Sequence, residues 1–324
     1  MPRRTTPRRR LLTALAVAGS FARPAAEPQH LDLADHPAFA SVGMVTGTRP
    51  NGTRYLGSGT LINPYTLVTA AHVVDRAGQL TFDLGSRSYT AQRWVTHPKW
   101  HGGNFNTGHD LALVRLTEPV SDVAPAAVRY RPNERGRIVT LVGFGRGGTG
   151  SNPGTSPAGT KRAGQNRIDT YLGRRNQLMQ STFDRPGHGA LPLEYQPAPG
   201  DSGGGVFIGT RLAGVVSYLT ASDGVTDADF GDSGNYIRLS QHRDLLRFGT
   251  RQLQQPGKRF RNAPFGILPL GQPGRPIFDD DLVFPPTPLS HPLTTPVPEP
   301  ATSVMLVTLT GVALRRGRAR GRRE

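Results

Sequence analysis

Turn-forming residues interrupt this chain so often that long regular helices are not expected. Its 324 residues include 40 glycines and 29 prolines, which favour turns and are disfavoured inside helices and strands. The apolar runs between them are short, as in VTLVG at 139–143 and LAGVV at 212–216. Short apolar runs bounded by turn residues are typical of β-strands. The sequence therefore predicts an all-β domain, a barrel or a sandwich, rather than a helical bundle.

One glycine-rich stretch, PGDSGGG at 199–205, holds a single serine, Ser202. Glycines allow left-handed turns and close approach by another chain. A serine held in such a loop exposes its hydroxyl, and the surrounding amides can point at one spot outside the protein. This arrangement suits acyl transfer, in which the hydroxyl attacks a carbonyl and N–H groups hold the oxyanion. The alternative interpretation is a glycine-rich hairpin loop without chemistry.

Two other stretches place a polar side chain beside a buried-looking strand. In LVTAAHVV at 67–74, an apolar strand runs into alanines and His72; in HDLALVRL at 109–116, Asp110 precedes a strand. Taken alone, His72 is typical of a core histidine and Asp110 of a strand-starting residue. The three motifs occur in the order His72, Asp110, Ser202, separated by 38 and 92 residues.

Together these motifs resemble the trypsin/chymotrypsin-like serine proteases, which carry TAAH, D-(I/L)-A-L and GDSGG in that order. The resemblance covers roughly residues 40 to 250. It implies an all-β fold of two six-stranded antiparallel β-barrels with a short C-terminal helix, in a protease domain at 40–253. It also implies a serine endopeptidase that hydrolyses protein or peptide substrates through an acyl-enzyme intermediate. No metal ion or organic cofactor is implied.

The resemblance assigns a role to each site residue. His72 is the general base, Asp110 orients it, and Ser202 is the nucleophile, with the amides of Gly200 and Ser202 as the oxyanion hole. The residues implied for the substrate-binding pocket are Gln196, Ser217, Tyr218, Leu219 and Gly234. Gln196 stands at the base of that pocket, where trypsin-type enzymes have Asp, and Leu219 stands where many relatives have Gly. A preference for uncharged, small to medium side chains follows. The alternative is that an aspartate of the nearby loop supplies a counterion for Lys or Arg; the candidates are Asp223, Asp227, Asp229 and Asp232.

The chain departs from the family in two respects. It has no cysteine, so Val73 and Ala198 stand where relatives often carry cystines, and the fold must depend on its cores. No Ile-Val-Gly-Gly stretch provides the freed N-terminus that pairs, in many relatives, with the Asp beside the nucleophile. How Asp201 is satisfied, and whether a propeptide is removed, stay open at this point.

Two local patterns complete the domain. Residues 146–164 are rich in Gly, Ser, Thr and Pro without periodicity, and they predict a long surface loop. Near the end of the domain, Ser240 has the features of an N-cap. The short helix predicted after it carries Leu245, Leu246 and Phe248 on one face and ends at Gly249.

The net charge of +16 belongs largely to the two ends. Residues 1–22 hold five arginines, and residues 301–324 hold six against one glutamate, which leaves about six net charges spread over residues 23–300. A nucleic-acid-binding protein would be expected to cluster its charge in a basic, aromatic-interleaved patch. Nucleic acid is therefore not expected as a partner.

Both ends of the chain have the features of export signals. Residues 1–22 combine an arginine-rich start, an apolar stretch and small residues at a cleavage site, as in a secretory signal peptide. Residues 23–39 are an N-terminal segment or propeptide, and 254–297 read as a Pro-rich linker. Residues 298–324 resemble the PEP-CTERM sorting signal: Pro-Glu-Pro, a short hydrophobic segment and an arginine cluster.

The sorting signal implies a fate for the mature protein. Residues 301–314 would span about 21 Å as a helix, against a hydrocarbon core of roughly 30 Å, so they would enter the membrane transiently. The resemblance implies that an exosortase-type enzyme cuts near residue 300. The protein would then be secreted or extracellular and associated with the cell envelope.

Two other kinds of function remain open from the sequence. The first is a catalytically silent, surface-displayed binding protein on the same fold. The second is a surface structural or adhesive protein whose working part is the Pro-rich segment 254–297.

Overall fold

The computed structural model describes residues 28–255 and 270–271. The predicted signal peptide at 1–22, nearly all of the linker at 254–297 and the sorting signal at 298–324 lie outside these described residues. Among the helices that are described, none combines the length and apolar character needed to cross a bilayer.

The first half is a closed barrel. It follows the helix α1 (Pro28–Ala34) and is formed by β1 (Val42–Thr48), β2 (Arg54–Asn63), β3 (Thr66–Thr69), β4 (Gln79–Leu84), β5 (Arg87–Thr96) and β6 (Ala112–Leu116), with the four-residue helix α2 (Ala71–Val74) after β3. The order β5-β4-β1-β2-β3-β6 closes on itself because β5 also pairs with β6, for example Trp94 with Val114. Closure leaves no free edge among these six strands.

The second half is a seven-stranded antiparallel sheet. The strands are β7 (Ile138–Gly143), β10 (Arg162–Arg167), β11 (Thr170–Leu172), β12 (Leu178–Thr182), β13 (Gly205–Ile208), β14 (Arg211–Thr220) and β15 (Ser233–Arg238), and a separate hairpin joins β8 (Gly147–Thr149) to β9 (Asn152–Ser156). The order in the sheet is β10-β7-β13-β14-β15-β12-β11. The helix α3 (Arg243–Gln254) follows, and β16 (Leu270–Gly271) pairs with β5.

A side chain connects strands of this sheet that are not neighbours in the ladder. The amide of Asn166, in β10, donates to the carbonyls of Thr182 at 2.9 Å and Tyr195 at 3.2 Å. Asn166 is buried, so these bonds lie in a region where an unpaired amide would be costly. Asn166 thus ties β10 to the end of β12. A six-stranded barrel was predicted for this half, and the sheet has seven strands.

The two local predictions need correction. Residues 146–164 are not a plain loop, since they form the β8–β9 hairpin and the start of β10. The last helix begins at Arg243 after an N-cap at His242, because Ser240 lies in a 3-10 turn and its hydroxyl binds the carboxylate of Glu134 at 2.7 Å. Gly249 lies inside this helix rather than at its end.

The segment before the first barrel packs against the domain. Ala34 and Phe39 are buried, and the Phe39 ring meets Phe207 edge-on at 5.0 Å between centroids. Lys161 donates to the carbonyl of Phe39 at 2.8 Å. Residues from Ala34 onward therefore contribute to the core.

Candidate active site

The position of His72 follows from the small residues before it. Ala70 and Ala71 are fully buried, so β3 turns closely into the short helix α2. Val73 and Val74 anchor the other side of that helix in the core. His72 is left at the surface of the core, with 26% of its side chain exposed. A ring fixed on a short helix but open to solvent can exchange protons with a ligand.

Asp110 holds the ring of His72 from the buried side. Its carboxylate is completely buried; Oδ2 lies 2.7 Å from His72 Nδ1, and Oδ1 accepts from the His72 backbone N–H at 2.8 Å. The hydroxyl of Ser217 donates to Oδ2 at 2.6 Å. With these bonds satisfying the carboxylate, Nδ1 is the donor to Asp110 and Nε2 is left for another partner.

Aromatic packing supports the exposed face of His72. The Phe105 ring meets the imidazole edge-on at 5.3 Å between centroids and contacts Tyr218 at 5.7 Å. This contact restricts rotation of the imidazole and so supports the orientation set by the bond to Asp110.

The loop around Ser202 depends on glycines in left-handed backbone. Gly200 and Gly203 have φ of 103° and 86°, and a Cβ at Gly203 would collide with the carbonyl of Ser58 and the side chain of Thr69. The Ser202 carbonyl accepts from Ser58 N at 2.8 Å, and the Ser58 hydroxyl donates to the Gly200 carbonyl at 2.9 Å. The first barrel therefore fixes both ends of the loop.

Two contacts bring this loop to His72 and Asp110. Gly57 lies between α2 and the loop: a Cβ there would be 3.0 Å from Val73 and 3.2 Å from the Ser202 carbonyl. In β14, Val216 accepts from Gly203 N at 2.8 Å, and the next residue, Ser217, binds Asp110. The three residues singled out by the sequence thus converge at the junction of the two halves.

The amides of Gly200 and Ser202 are both unused. Within residues 28–255, neither N–H donates a hydrogen bond to another group. Flexible loops do not usually keep such donors oriented, but here the carbonyl oxygens of the same two residues are bonded to Ser58. The two N–H groups are therefore available to an anionic oxygen.

Asp201, between these two amides, is satisfied inside the domain. Its buried carboxylate accepts from Gly145 N at 2.7 Å, Ala198 N at 2.9 Å and the Tyr195 hydroxyl at 3.1 Å. Burial raises the pKa of Asp201 to about 6, against the lowering effect of these hydrogen bonds and of the charge on Arg162. The sequence, which has no Ile-Val-Gly-Gly stretch, left open how Asp201 is satisfied. Three donors within the domain bind its carboxylate.

The residues predicted for substrate binding fall into two groups. Gln196 is buried, 6% exposed, and lines a cavity of about 520 Å³ together with Ala198, Phe230 and residues 146–150. Neither its amide oxygen nor its amide nitrogen has a partner among the described residues. Ser217, Tyr218, Leu219 and Gly234 do not line this cavity; Leu219 faces Gly234 across β14 and β15.

Sequence reasoning missed Ser58 and did not identify the bond from Ser217 to Asp110. Ser58 bonds both the Gly200 carbonyl and Phe144 N, and its signal was a hydroxyl between two glycines, Gly57 and Gly59. Ser217 was predicted to contact substrate, a prediction that no contact among the described residues tests, and its hydroxyl binds Asp110. A serine within a strand gives no sign of the partner of its hydroxyl, so the sequence could not identify this bond.

Three aspartates have carboxylate oxygens close enough together to bind one cation. In the part of the chain that the structure describes, carboxylate oxygens of Asp227, Asp229 and Asp232 lie within 4.8 Å of one another. Asp232 is buried and already accepts from Ser222 N and Ala228 N. Oxygen ligands of this kind suit hard cations, and acidic loops also occur without one.

Two antiparallel β units that meet at a histidine, an aspartate and a glycine-rich serine loop define the class of trypsin-like serine peptidases. The family model of trypsin matches residues 34–245, and the chain belongs to the trypsin family. The predicted fold class and family are thus confirmed.

Several known proteins are similar to this chain. A peptidase of Corynebacterium glutamicum (strain R) is 30% identical over 241 residues, covering 70% of this chain and 76% of that relative. The alpha-fibrinogenase albofibrase of Trimeresurus albolabris is 27% identical over 190 residues, 52% of this chain and 69% of that one. The solved structure of HL collagenase has a TM-score of 0.54 at 17% identity, covering 66% and 94% of the two chains; this likeness concerns the fold alone.

Proposed function

We propose that the protein is a serine endopeptidase that uses His72, Asp110 and Ser202. The observation that carries the proposal is the buried Asp110 carboxylate, bonded to His72 Nδ1 at 2.7 Å and to its backbone N–H at 2.8 Å. A carboxylate bonded in this way stabilises an imidazolium and keeps Nε2 directed toward a nucleophile. The family of the chain supports peptide hydrolysis as the reaction.

The steps follow from the residues in these positions. His72 takes the proton of the Ser202 hydroxyl, and the hydroxyl oxygen attacks the scissile carbonyl. The Gly200 and Ser202 N–H groups hold the oxyanion, a contribution of about 3–4 kcal/mol per donor in such sites. The tetrahedral species collapses, the leaving amine takes the proton from His72, and water then hydrolyses the acyl-enzyme with the same base.

Substitution of the nucleophile tests the proposal. Ser202→Ala and His72→Ala should each lower kcat/KM for a peptide substrate by about 10⁴-fold or more while leaving the fold intact. A fluorophosphonate probe should label the unmodified protein at Ser202, located by peptide mapping. Ser88→Ala, at an exposed position of β5, is the matched control. Near-normal hydrolysis by Ser202→Ala, or no labelling of Ser202, would indicate the silent binding protein instead.

We propose a preference for uncharged side chains before the scissile bond. Gln196 supports it, because a buried amide supplies no counterion for Lys or Arg. A peptide library should show small to medium uncharged residues at this position, and Gln196→Asp should shift selection toward Lys and Arg. Strong selection of Lys or Arg by the unmodified protein would overturn this preference.

We propose, from sequence patterns alone, that the protein is exported and sorted to the cell envelope. Signal-peptide features at 1–22 and the Pro-Glu-Pro layout at 298–324 support the proposal. Mass spectrometry of the protein from its native host should find a chain that starts after residue 22 and ends near residue 300. Recovery of an intact 301–324 peptide in the mature protein would rule out removal by an exosortase-type enzyme.

A further inference from the structure

The segment that carries Asp110 makes a tight turn just before β6. Pairing of β3 with β6 brings this segment near His72, and the turn then sets where the carboxylate lies. Leu111 N donates to the His109 carbonyl at 2.8 Å, so the backbone folds back across Asp110. The Leu111 carbonyl in turn accepts from His97 N at 2.8 Å. The bonds from Asp110 to His72 therefore depend on the position of this short turn.

Two residues of the second half contact Gly108, which leads into the turn. Gly108 is buried and has φ of 71°, and a Cβ there would lie 2.4 Å from the Cβ of Gln177. The carbonyl of Gln177 accepts from Arg238 N at 2.9 Å, which fixes it to the end of β15. The ring of His242, the N-cap residue of α3, donates to the backbone carbonyl of Gly108. The second half thus holds the approach to a residue that belongs to the first.

The ring of His242 is packed as well as bonded. It is 5% exposed, and its centroid lies 5.1 Å from that of His97 and 6.1 Å from that of His109. His97 and His109 stack on each other at 4.4 Å. His109 precedes Asp110, and His97 bonds the residue that follows it. The three rings therefore connect the start of α3 to the residues on either side of Asp110.

Packing alone does not account for a histidine at position 242. Its Nε2 is buried and has no partner among the described residues, and an unpaired buried nitrogen costs free energy. A phenylalanine ring would fill nearly the same space without that cost. What phenylalanine lacks is the N–H that His242 donates to Gly108.

The protonation state of His242 suits this bond. Burial lowers the pKa of His242 to about 4, helped by the charge of His109 and opposed by the bond to Gly108. The ring is therefore neutral at pH 7 and carries a single N–H. Since Nε2 has no partner, this N–H is on Nδ1, and it is the donor to the Gly108 carbonyl.

We propose that His242 is a positioning residue for Asp110, acting through the bond from its Nδ1–H to the Gly108 carbonyl. The proposal rests on the proposed function, because the position of Asp110 affects turnover only if His72 is the base. Through this bond the second half sets the position of a triad residue that the first half supplies. An error of about 1 Å in such a position can cost about 10²-fold in rate.

Kinetics of full-length variants with a peptide substrate test the proposal. His242→Phe keeps the ring and removes the donor, so it should lower kcat by about ten-fold or more with KM changed by less than about two-fold. His242→Asn should recover most of that loss, because its side-chain amide can donate from the place of Nδ1. Leu253→Ala is the matched control, since Leu253 is fully buried near the other end of α3. It should lower stability in urea and leave kcat unchanged.

A spectroscopic signal reports the same geometry without turnover. The proton between His72 Nδ1 and Asp110 should give a low-field ¹H resonance that is absent in His72→Ala. This resonance should shift in His242→Phe, return in His242→Asn and stay in place in Leu253→Ala. An unchanged resonance in His242→Phe overturns the proposal even if kcat falls, and so does an equal shift in Leu253→Ala.

Two further results keep the test decisive. If circular dichroism shows that His242→Phe is unfolded, Gly108→Ala replaces it, because its methyl group would press on Gln177; an unchanged resonance in Gly108→Ala then overturns the proposal. If the unmodified protein neither hydrolyses peptides nor reacts with a fluorophosphonate, the proposed function fails. The resonance still decides the role of His242 in that case, because it reports the bond between His72 and Asp110 in the resting protein.

Discussion

Different kinds of interaction stabilise the two halves of this peptidase. The closed first barrel has an apolar interior with residues such as Trp94 and Leu113 fully buried, and most of its buried polar side chains are hydroxyls. The second half buries charged and amide groups, among them Glu134, Asn166, Asp201 and Arg238. A backbone ladder closes the first half, whereas Asn166 ties the second through its side chain.

The difference bears on the site, because each half supplies a different part of it. His72 and Asp110 belong to the apolar half, where buried strands and helix α2 hold the backbone and the Asp110 carboxylate bonds His72. The Ser202 loop belongs to the polar half, where Asp201 must bond three donors to hold it. Volume changes should therefore disturb the first half, and charge changes should disturb the second.

The largest effect is expected from the buried pair Arg238–Glu134. The two side chains meet at 2.6 Å with 2% and 0% exposure, and the Arg238 guanidinium stacks on Tyr171 at 3.6 Å from its ring centre. Arg238→Met leaves Glu134 charged and buried, which typically costs about 3–5 kcal/mol. Urea unfolding measures this loss of free energy of unfolding.

A double variant sharpens that result. Glu134→Leu combined with Arg238→Met removes both charges and should recover at least half of the loss, since an apolar pair often replaces a buried ion pair without penalty. Ser240 and Tyr171, which donate to Glu134, limit the recovery. A double variant less stable than Arg238→Met would show that charge is not what the second half depends on.

In the first barrel, removal of side-chain volume should lower the free energy of unfolding, as removal of a buried charge should in the second half. Leu113, in β6, is fully buried, and Leu113→Ala should cost about 3 kcal/mol through lost contacts and the cavity left behind. Leu113→Met keeps the volume and should cost less than about 1.5 kcal/mol. If urea unfolding gives equal losses for the two variants, packing volume is not the controlling quantity in this barrel.

The smallest effect is a pH dependence confined to the second half. The pKa of Asp201 is raised to about 6 in the folded protein, against about 3.9 for a free Asp, so the folded state holds the proton more tightly. Its contribution to stability is therefore greatest below about pH 4 and is lost as pH rises through 6. Measured from pH 4 to 7, the stability of the unmodified protein relative to Asp201→Asn should fall by about 1–3 kcal/mol.

A first-barrel variant provides the control for that measurement. Thr60 is fully buried and its hydroxyl has no partner among the described residues, so Thr60→Val removes a polar atom without a titrating group. Its stability difference should be constant over the same pH range. A difference for Asp201→Asn that is equally constant, or that grows with pH, would contradict the raised pKa of Asp201.

The sequence predicted the fold class, and it singled out His72 and Asp110, which lie in contact, because each motif adjoins a strong apolar run. His72 follows the buried strand β3 and Asp110 precedes β6, so strand pairing alone brings them together. The β8–β9 hairpin was missed because its residues, from Gly147 to Ser156, have no apolar alternation to indicate pairing. Backbone hydrogen bonds form there without a pattern in the side chains.

Polar side chains in the second half were the least predictable part of the site. Gln196 was placed with Ser217 and Leu219 by resemblance, yet the cavity that it lines includes neither of them. Asp201 had no predicted partner, because its donors are two backbone amides and the hydroxyl of Tyr195, six positions earlier in the chain, and no sequence pattern marks these groups as donors. Hydrogen-bond partners depend on tertiary distance, which residue type does not reveal.

The contact of Gly57 with Val73 and the Ser202 carbonyl has a practical consequence for handling the protein. The methyl groups of Val73 and the Ser202 carbonyl oxygen lie next to Gly57, and the chain has no thiol. Nothing at this junction can be reduced, scrambled or oxidised into a wrong pairing. The peptidase can therefore be produced in a reducing cytosol without disulfide isomerases and assayed in the presence of dithiothreitol with its site unchanged.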